Sequence, residues 1–313
     1  ILLGLVGSEM CIRDRSTMLF RAIFFLICIL AGFSAAAADD AGTRQILIIV
    51  GPSNHAPGTH EVAAGARLMQ HCLLHSNVSG LSVTVSEGWP KKETQLDKAD
   101  SVVFIGDAFP PNRLPGKETT LAKLGSMMNR GCGIVCVHYA TGLHAQDVEK
   151  DGEHPLLHWM GVYSGFRCPH HNTIARIFPK AKITPAAAEH PICRGWKEFT
   201  VHDEPYINNY FGPNNNRLAP GVTALATSML PPEKPKKEIV SWCIQREDTG
   251  RGFGIVMPHF FRSWKDDNLR TFILNGITWT ARKEVPREGV QAALPGDLTQ
   301  FQPHALEPKP RKK

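Results

Sequence analysis

The sequence lacks several features that would assign a function directly. No glycine-rich phosphate fingerprint follows the first predicted strand, residues 45–51, so dinucleotide-binding folds and a nucleotide cofactor are disfavoured. No Cys-X-X-Cys pair or Cys/His zinc-finger spacing occurs among the 8 cysteines. No apolar run reaches the roughly 20 residues that a membrane-spanning helix requires. What is left is a globular domain whose function must be sought in scattered polar residues.

The first residues are expected to lie outside the folded domain. The sequence starts at Ile1, and residues 5–15 resemble a translated sequencing adapter, so we treat residues 1–17 as a non-native leader. Residues 18–38 contain Arg21, an apolar run of about a dozen residues and an alanine-rich exit, which is the pattern of a secretory signal peptide. We therefore expect an exported bacterial protein, periplasmic or secreted, with no stable membrane span after cleavage.

Charge and cysteine usage limit the partners and the compartment. The formal net charge is +6, and part of the excess lies in a proline-rich basic tail, residues 284–313, which we expect to be largely disordered. A short tail of this kind gives no reason to expect nucleic acid as a partner. Of the cysteines, Cys11 and Cys28 precede the mature chain, and we interpret the other six as buried small hydrophobes in preference to disulfides.

Short apolar strands alternate with helical segments through the first half of the chain. Residues 45–51, 81–86, 101–107 and 131–137 are rich in β-branched residues, and helices are predicted at residues 62–76 and 117–129. This order is typical of βαβ units with a parallel sheet, so we expect a single α/β domain over residues 39–283. Later strands are predicted at 172–178, 198–201, 222–228 and 239–245, and a last helix at 266–282.

Several short segments together resemble the ThuA-like, or trehalose-utilisation, family. The segments, in chain order, are Val137-His138-Tyr139-Ala140, His190-Pro191-Ile192, Asp203-Glu204-Pro205-Tyr206, Gly250-Arg251-Gly252-Phe253 with His259, and Leu274-Asn275-Gly276-Ile277-Thr278-Trp279. The resemblance implies a class I glutamine amidotransferase-like fold, a flavodoxin-like three-layer α/β/α sandwich with a mainly parallel central sheet. It also implies a part in carbohydrate metabolism, with oxidised (keto) disaccharides or glycosides as substrates.

The sequence departs from the amidotransferase pattern at one position. In glutamine amidotransferases the corresponding strand ends in an elbow that carries a cysteine nucleophile, whereas this place is held by His138. Cys136 lies two residues earlier, inside the strand, where a thiol is expected to be buried and poorly activated. A thiol-dependent amidotransferase-like hydrolase therefore ranks last among the functional hypotheses.

Histidines and acids follow several of the predicted strands, and a parallel sheet gathers its strand ends at one edge. We predict catalytic roles for His138, Glu204, Asp203 and His259, with Glu204 favoured over Asp203 because adjacent strand residues point to opposite faces. The predicted substrate-binding residues are His55, His60, Glu61, Tyr139, Trp159 and Tyr206. The predicted ligands for a divalent metal such as Zn, Mn or Fe are His138, His171, His202 and His259.

Two functions remain open on the sequence. The first is a hydrolase or lyase that acts on keto-disaccharides or glycosides through histidine and carboxylate residues, with a metal assisting. The second is a non-catalytic protein of the same fold that binds a sugar or a metal. The small carbohydrate partner is common to both, and the sequence does not decide the oligomeric state.

Overall fold

The structure is a computed structural model that describes residues 42–301 without a gap. The predicted leader, residues 1–17, and the predicted signal peptide, residues 18–38, lie outside the described residues, so export remains a prediction. Within residues 42–301, no helix is long and apolar enough to cross a membrane.

The first half of the domain contains the predicted alternation of strands and helices. Its elements are β1 (Arg44–Val50), α1 (Val62–Leu74), β2 (Leu81–Glu87), α2 (Glu93–Lys98), β3 (Ser101–Ile105), α3 (Lys117–Asn129) and β4 (Gly133–Val137). All five residues of β3 and of β4 are buried, which agrees with their continuous apolar sequence. The four strands predicted for this half are therefore confirmed.

The second half is richer in strands and differs from the predicted elements at one segment. Its elements are β5 (Gly142–His144), α4 (Pro155–Met160), β6 (Ser164–Phe166), β7 (Phe178–Pro185), β8 (Phe199–Asp203), β9 (Val222–Leu230), β10 (Lys236–Gln245), β11 (Arg251–Ile255) and α5 (Asp267–Thr280). The predicted strand at residues 172–178 is wrong, because β7 begins only at Phe178. Upstream, Ile174 forms an isolated bridge to Ile207, whereas the inward side chains Phe178, Ala181 and Ile183 mark the true strand.

Nine strands form one mixed sheet in the order β2-β1-β3-β4-β11-β10-β9-β7-β8. The strands from β2 to β11 in this order are parallel to one another, and the strands beyond β11 pair antiparallel. The parallel half has the flavodoxin-like arrangement that the sequence analysis predicted. In this arrangement the carboxyl ends of β1, β3, β4 and β11 meet at one edge of the sheet.

Two hydrophobic cores cover the two faces of the sheet. Val135 and Val137 of β4 pack into the core that α1 and α5 cover, whereas Ile134 and Cys136 pack into the core that α3 and α4 cover. The alternation follows from the two-residue period of a strand. The predicted three-layer α/β/α sandwich is therefore confirmed, with an antiparallel extension added to its parallel part.

The proline-rich segment after α5 packs against the domain as far as residue 301, contrary to the expectation of a largely disordered tail. Val285, Val290 and Leu298 are buried, and the backbone N–H of Val290 donates to Asn275 Oδ1 at 2.7 Å. Burial of these apolar side chains offsets the entropy of ordering the segment. Residues 302–313, including the basic end, lie outside the described residues.

Candidate metal centre and substrate cavity

The chain turns sharply where β4 ends. His138 follows the strand directly, opens a 3-10 turn over His138–Thr141 and has φ of +52°. A positive φ is uncommon for a residue other than glycine and is often found where function fixes the backbone. The turn directs the ring of His138 into the crevice at the sheet edge, where it is buried.

Four side chains converge at this crevice: those of His60, His138, Glu204 and His259. His60 Nε2 lies 2.9 Å from both His138 Nε2 and His259 Nδ1, and the last two atoms are 3.3 Å apart. Glu204 Oε2 lies 3.2 Å from His259 Nδ1 and 3.7 Å from His138 Nε2. The residues come from the loop after β1, the ends of β4 and β8, and the loop after β11, so the sheet topology brings them together.

Hydrogen bonds on the far side of two rings decide where their protons lie. His138 Nδ1 donates to the carbonyl oxygen of Val256 at 2.9 Å, and His60 Nδ1 donates to Asp107 Oδ1 at 2.6 Å. A carbonyl or a carboxylate can only accept, so both protons sit on Nδ1 of the neutral rings. The two Nε2 lone pairs therefore face each other across 2.9 Å. Such an arrangement is stable when a positive charge lies between them.

Burial keeps these imidazoles neutral. The pKa of His60 is lowered to about 4, mainly by burial, although the hydrogen bond to Asp107 acts in the opposite direction. Burial also lowers the pKa of His138 well below its usual range, and the neighbouring histidines add to the effect. A metal ligand must be the neutral ring, so both histidines are ready to bind an ion at neutral pH.

The spacing of the four donor atoms fits a transition metal. A tetrahedral ion with bonds of about 2.1 Å separates its ligand atoms by about 3.4 Å. The measured separations of 2.9, 3.2, 3.3 and 3.7 Å lie close to this value. Metal-binding histidines also usually donate the N–H of their second ring nitrogen to a carboxylate or a carbonyl, which fixes the orientation of the ring. Imidazole with carboxylate suits zinc, manganese or iron.

Asp203 lies beneath the cluster and holds its backbone. The side chain is fully buried, and its Oδ1 accepts the backbone N–H of His259 and of Glu204, each at 2.7 Å. Its Oδ2 accepts the hydroxyl of Ser263 at 2.5 Å. Asp203 thus fixes two of the four converging residues, and its carboxylate is occupied by these donors.

His55 and Asp107 form a second pair beside the cluster. The ring of His55 stacks on that of His60 with 3.5 Å between centroids, and its Nδ1 contacts Asp107 Oδ2 at 2.8 Å. The carboxylate accepts from Nδ1, so Nε2 of the neutral ring carries the free lone pair. His55 is partly exposed and lines the cavity described next, which is the position a general base requires.

A cavity of about 870 Å³ opens outward from the cluster. Its inner end is lined by polar and aromatic side chains, namely His55, His60, Tyr139, His144, Glu204, Tyr206 and His259. Its other lining residues are Ala56, Thr59, Phe166, Arg167, Asn172, Thr173, Ile174, Ala175, Ile177 and Phe260. Tyr206 connects the cavity lining with the donor cluster, because its ring stacks on His138 and its hydroxyl lies 3.1 Å from His138 Nε2. The volume is sufficient for a small organic ligand.

The sequence profile of the ThuA family, described as trehalose utilisation, matches residues 46–280. The chain belongs to the ThuA family. The match includes the four converging residues and both residues of the His55–Asp107 pair. The resemblance predicted from the sequence is therefore confirmed.

Two solved structures of ThuA-like proteins agree with the fold of this ThuA family member. A ThuA-like protein from Parabacteroides merdae has a TM-score of 0.55 at 14% identity, over 80% of this chain and 98% of that chain. A ThuA-like protein from Bacteroides uniformis has a TM-score of 0.55 at 14% identity, over 80% and 96%. A glutamine amidotransferase from Thermotoga maritima has a TM-score of 0.40 at 9% identity, over 76% and 96%. No curated protein matches the sequence.

Four residues that the sequence placed in the ThuA site lie elsewhere. His202 is exposed with its ring against Phe260, and His171 Nε2 donates to the carbonyl of Asn208 at 2.6 Å, so neither belongs to the donor cluster. Trp159 belongs to α4 and is buried in the hydrophobic core on that face of the sheet. Glu61 accepts the backbone N–H of Gly58 at 2.7 Å and so stabilises its own loop.

Asp107 is the functional candidate that sequence reasoning missed. It follows β3 at the same sheet edge as His138, so the strand-end rule could have identified it. His60 was predicted to bind substrate, whereas the structure places it at the centre of the donor cluster. His144 and Arg167 also line the cavity without having been predicted.

The cysteines have no part in this site. All six in the described range are buried and unpaired, as expected. Burial raises the pKa of Cys136 well above its usual range, so its thiolate is inaccessible at neutral pH. Cys136 is therefore not a candidate nucleophile, and the residue at the turn that follows β4 is His138.

Proposed function

We propose that this chain is a metal-assisted hydrolase or lyase that acts on keto-glycosides or keto-disaccharides. One observation carries the proposal, namely the convergence of His60, His138, His259 and Glu204 on a single point at the inner end of a substrate-sized cavity. The description of the ThuA family as trehalose utilisation supports a carbohydrate as the substrate.

The proposed reaction is an elimination followed by addition of water. A keto group makes a neighbouring C–H acidic. His55 Nε2, oriented by Asp107, takes this proton. The C–H electron pair forms the second bond of a C=C, the bond between the anomeric carbon and the leaving oxygen breaks, and the leaving oxygen takes the proton from His55 and departs as an alcohol. Water then adds across the double bond and yields the free keto sugar.

Three groups of side chains divide the work. His60, His138, His259 and Glu204 would hold a divalent ion, which supplies stabilisation of the negative charge that develops on the keto oxygen. Asp203 positions the backbones of Glu204 and His259. Tyr206 and Tyr139 line the inner cavity and offer hydroxyls and ring faces to a sugar.

The test combines elemental analysis with turnover of a phenyl keto-glucoside. We expect the purified protein to contain stoichiometric zinc, manganese or iron. We also expect it to release phenol from the substrate, which mass spectrometry detects. Glu204→Gln removes one donor and should lower the rate at least a hundredfold and reduce metal content. The matched control is Glu198→Gln on the exposed surface, where Glu198 pairs with Lys182. This variant should retain the turnover rate and the metal content.

Two results would contradict the proposal. Full turnover in both Glu204→Gln and His138→Ala would exclude the mechanism, and a protein that lacks any transition metal would exclude the metal. Tight binding of the keto-glucoside without product would instead favour a non-catalytic sugar-binding protein.

A further inference from the structure

The outer wall of the cavity differs in chemistry from its inner end. We define this outer wall as residues 172–177, the segment between β6 and β7, of which Asn172, Thr173, Ile174, Ala175 and Ile177 line the cavity. The segment faces the same space as the histidine cluster, so a ligand held at the cluster extends toward it.

Two isoleucines of the outer wall are unusually exposed. Within residues 42–301 the exposed large hydrophobic side chains are Leu74, Ile174, Ile177 and Met229. Ile174 is 44% exposed and Ile177 is 42% exposed, and both line the cavity that His60, Glu204 and His259 also line. Apolar surface concentrated at the mouth of a binding cavity indicates a ligand-binding surface.

The polar atoms of the outer wall are largely used within the protein. The hydroxyl of Thr173 donates to the carbonyl of Asn208 at 3.0 Å and accepts the N–H of Gly165 at 2.9 Å. Asn172 Oδ1 accepts the N–H of Arg167 at 3.0 Å. The wall therefore offers a ligand chiefly the apolar side chains of its isoleucines.

The backbone of the outer wall is held in place before any ligand binds. Ile174 and Ile207 exchange two backbone hydrogen bonds of 2.9 and 3.1 Å. Arg176 forms an ion pair with Glu233, and its guanidinium lies 5.1 Å from the centroid of the Phe178 ring. A preformed surface costs little ordering when a ligand binds.

We propose that the outer wall is a subsite for an apolar aglycone, so that the enzyme acts on glycosides of aryl or alkyl alcohols in preference to disaccharides. The inference rests on the proposed function and specifies its substrate class. A second sugar ring would place hydroxyls against the side chains of Ile174 and Ile177, which offer no hydrogen-bond partner. An aryl or alkyl group would instead remove the exposed apolar surface of these two isoleucines from water, and Phe260 lines the same cavity.

The experiment compares phenyl and methyl keto-glucosides and a keto-disaccharide as substrates of the whole protein. We expect kcat/KM to be highest for the phenyl compound. The double variant Ile174→Ser with Ile177→Ser should reduce the phenyl-to-methyl ratio about tenfold, mainly through KM. Met229→Ser, an exposed hydrophobic outside the cavity, is the matched control and should leave the ratio unchanged.

Binding measurements separate this inference from the proposed function. Calorimetry of the same compounds with Glu204→Gln requires no turnover, and we expect phenyl to bind more tightly than methyl. If this preference is found while the unmodified protein releases no phenol, the subsite stands and the proposed reaction fails. Turnover without a phenyl preference, or with a preference for the disaccharide, overturns the subsite. Light scattering that finds a dimer converted to monomer by the isoleucine changes, with the ratio unaltered, also overturns it.

Discussion

The two ends of one cavity are built by different means. At the inner end, His60 and His138 donate to Asp107 and Val256, and Asp203 holds the backbones of Glu204 and His259, so the donor atoms have fixed orientations. At the outer wall, Ile174 and Ile177 leave 44% and 42% of their surface exposed to solvent. The inner end is thus organised for chemistry, and the outer wall for selecting what reaches it.

The two ends of the cavity should also contribute differently to the stability of the fold. The inner residues lie in a buried network in which the loss of one member leaves others without partners, so folding and function are coupled there. The isoleucines of the outer wall give up little on unfolding, because they are already in contact with solvent. Substitutions at the two ends should therefore affect stability very differently.

The largest effect on stability is expected at Asp203. Asp203→Ala leaves the N–H groups of His259 and Glu204 and the hydroxyl of Ser263 without their acceptor. We expect the free energy of unfolding to fall by about 3 kcal/mol. Ser263→Ala, which removes one donor only, should cost about 1 kcal/mol. Urea unfolding measures both, and a loss under 1 kcal/mol for Asp203→Ala would argue against this role.

The next effect concerns the support of His60. Asp107→Asn weakens the bond that fixes the proton on His60 Nδ1, and we expect metal affinity to fall roughly 10- to 100-fold. Asp248→Asn is the control, because Asp248 pairs with Arg246 and does not line the cavity. Competition with a chelator measures the affinity. Equal losses in the two variants would assign Asp107 a general structural role.

A further effect, separate from any substitution, is expected from pH on the metal-free protein. Burial lowers the pKa of His60, His154 and His190 to about 4, below the ordinary value of 6.5. Between these values the unfolded chain binds more protons than the folded chain, so stability rises as pH rises from about 4 to 6.5. Urea unfolding in the presence of chelator should follow this trend. Stability that is flat or falls over this range would contradict the buried neutral state.

The smallest effect is expected at the outer wall. Ile174→Ala should change the free energy of unfolding by less than about 0.5 kcal/mol. The matched change Ile183→Ala, at a fully buried position of β7, should cost about 2–5 kcal/mol. Thermal or urea unfolding of the two variants provides the comparison. A large decrease in the free energy of unfolding for Ile174→Ala would mean that its side chain is needed for folding. Its exposure would then no longer support a role in ligand binding.

Much of the fold and part of the site could be predicted from local patterns. The doubly buried strands β3 and β4 were evident as continuous apolar runs, and His138 and His259 were selected because each follows such a strand. The pattern failed at residues 172–178, where Ile174 and Ile177 resemble strand residues although their side chains are exposed. Apolar residues that serve a cavity cannot be distinguished by sequence from those that serve a core.

The sequence by itself determined the alternation of strands and helices, the family, and the place of His138 directly after a buried strand, because these depend on residues close together in the chain. Only the tertiary structure decided that His60 joins His138, His259 and Glu204 while His171 and His202 do not. The donor atoms of His60 and His259 meet across 199 positions of sequence. Their approach depends on how β1 and β11 are placed around β4, and the pairing order of strands distant in the chain is a property of the whole sheet.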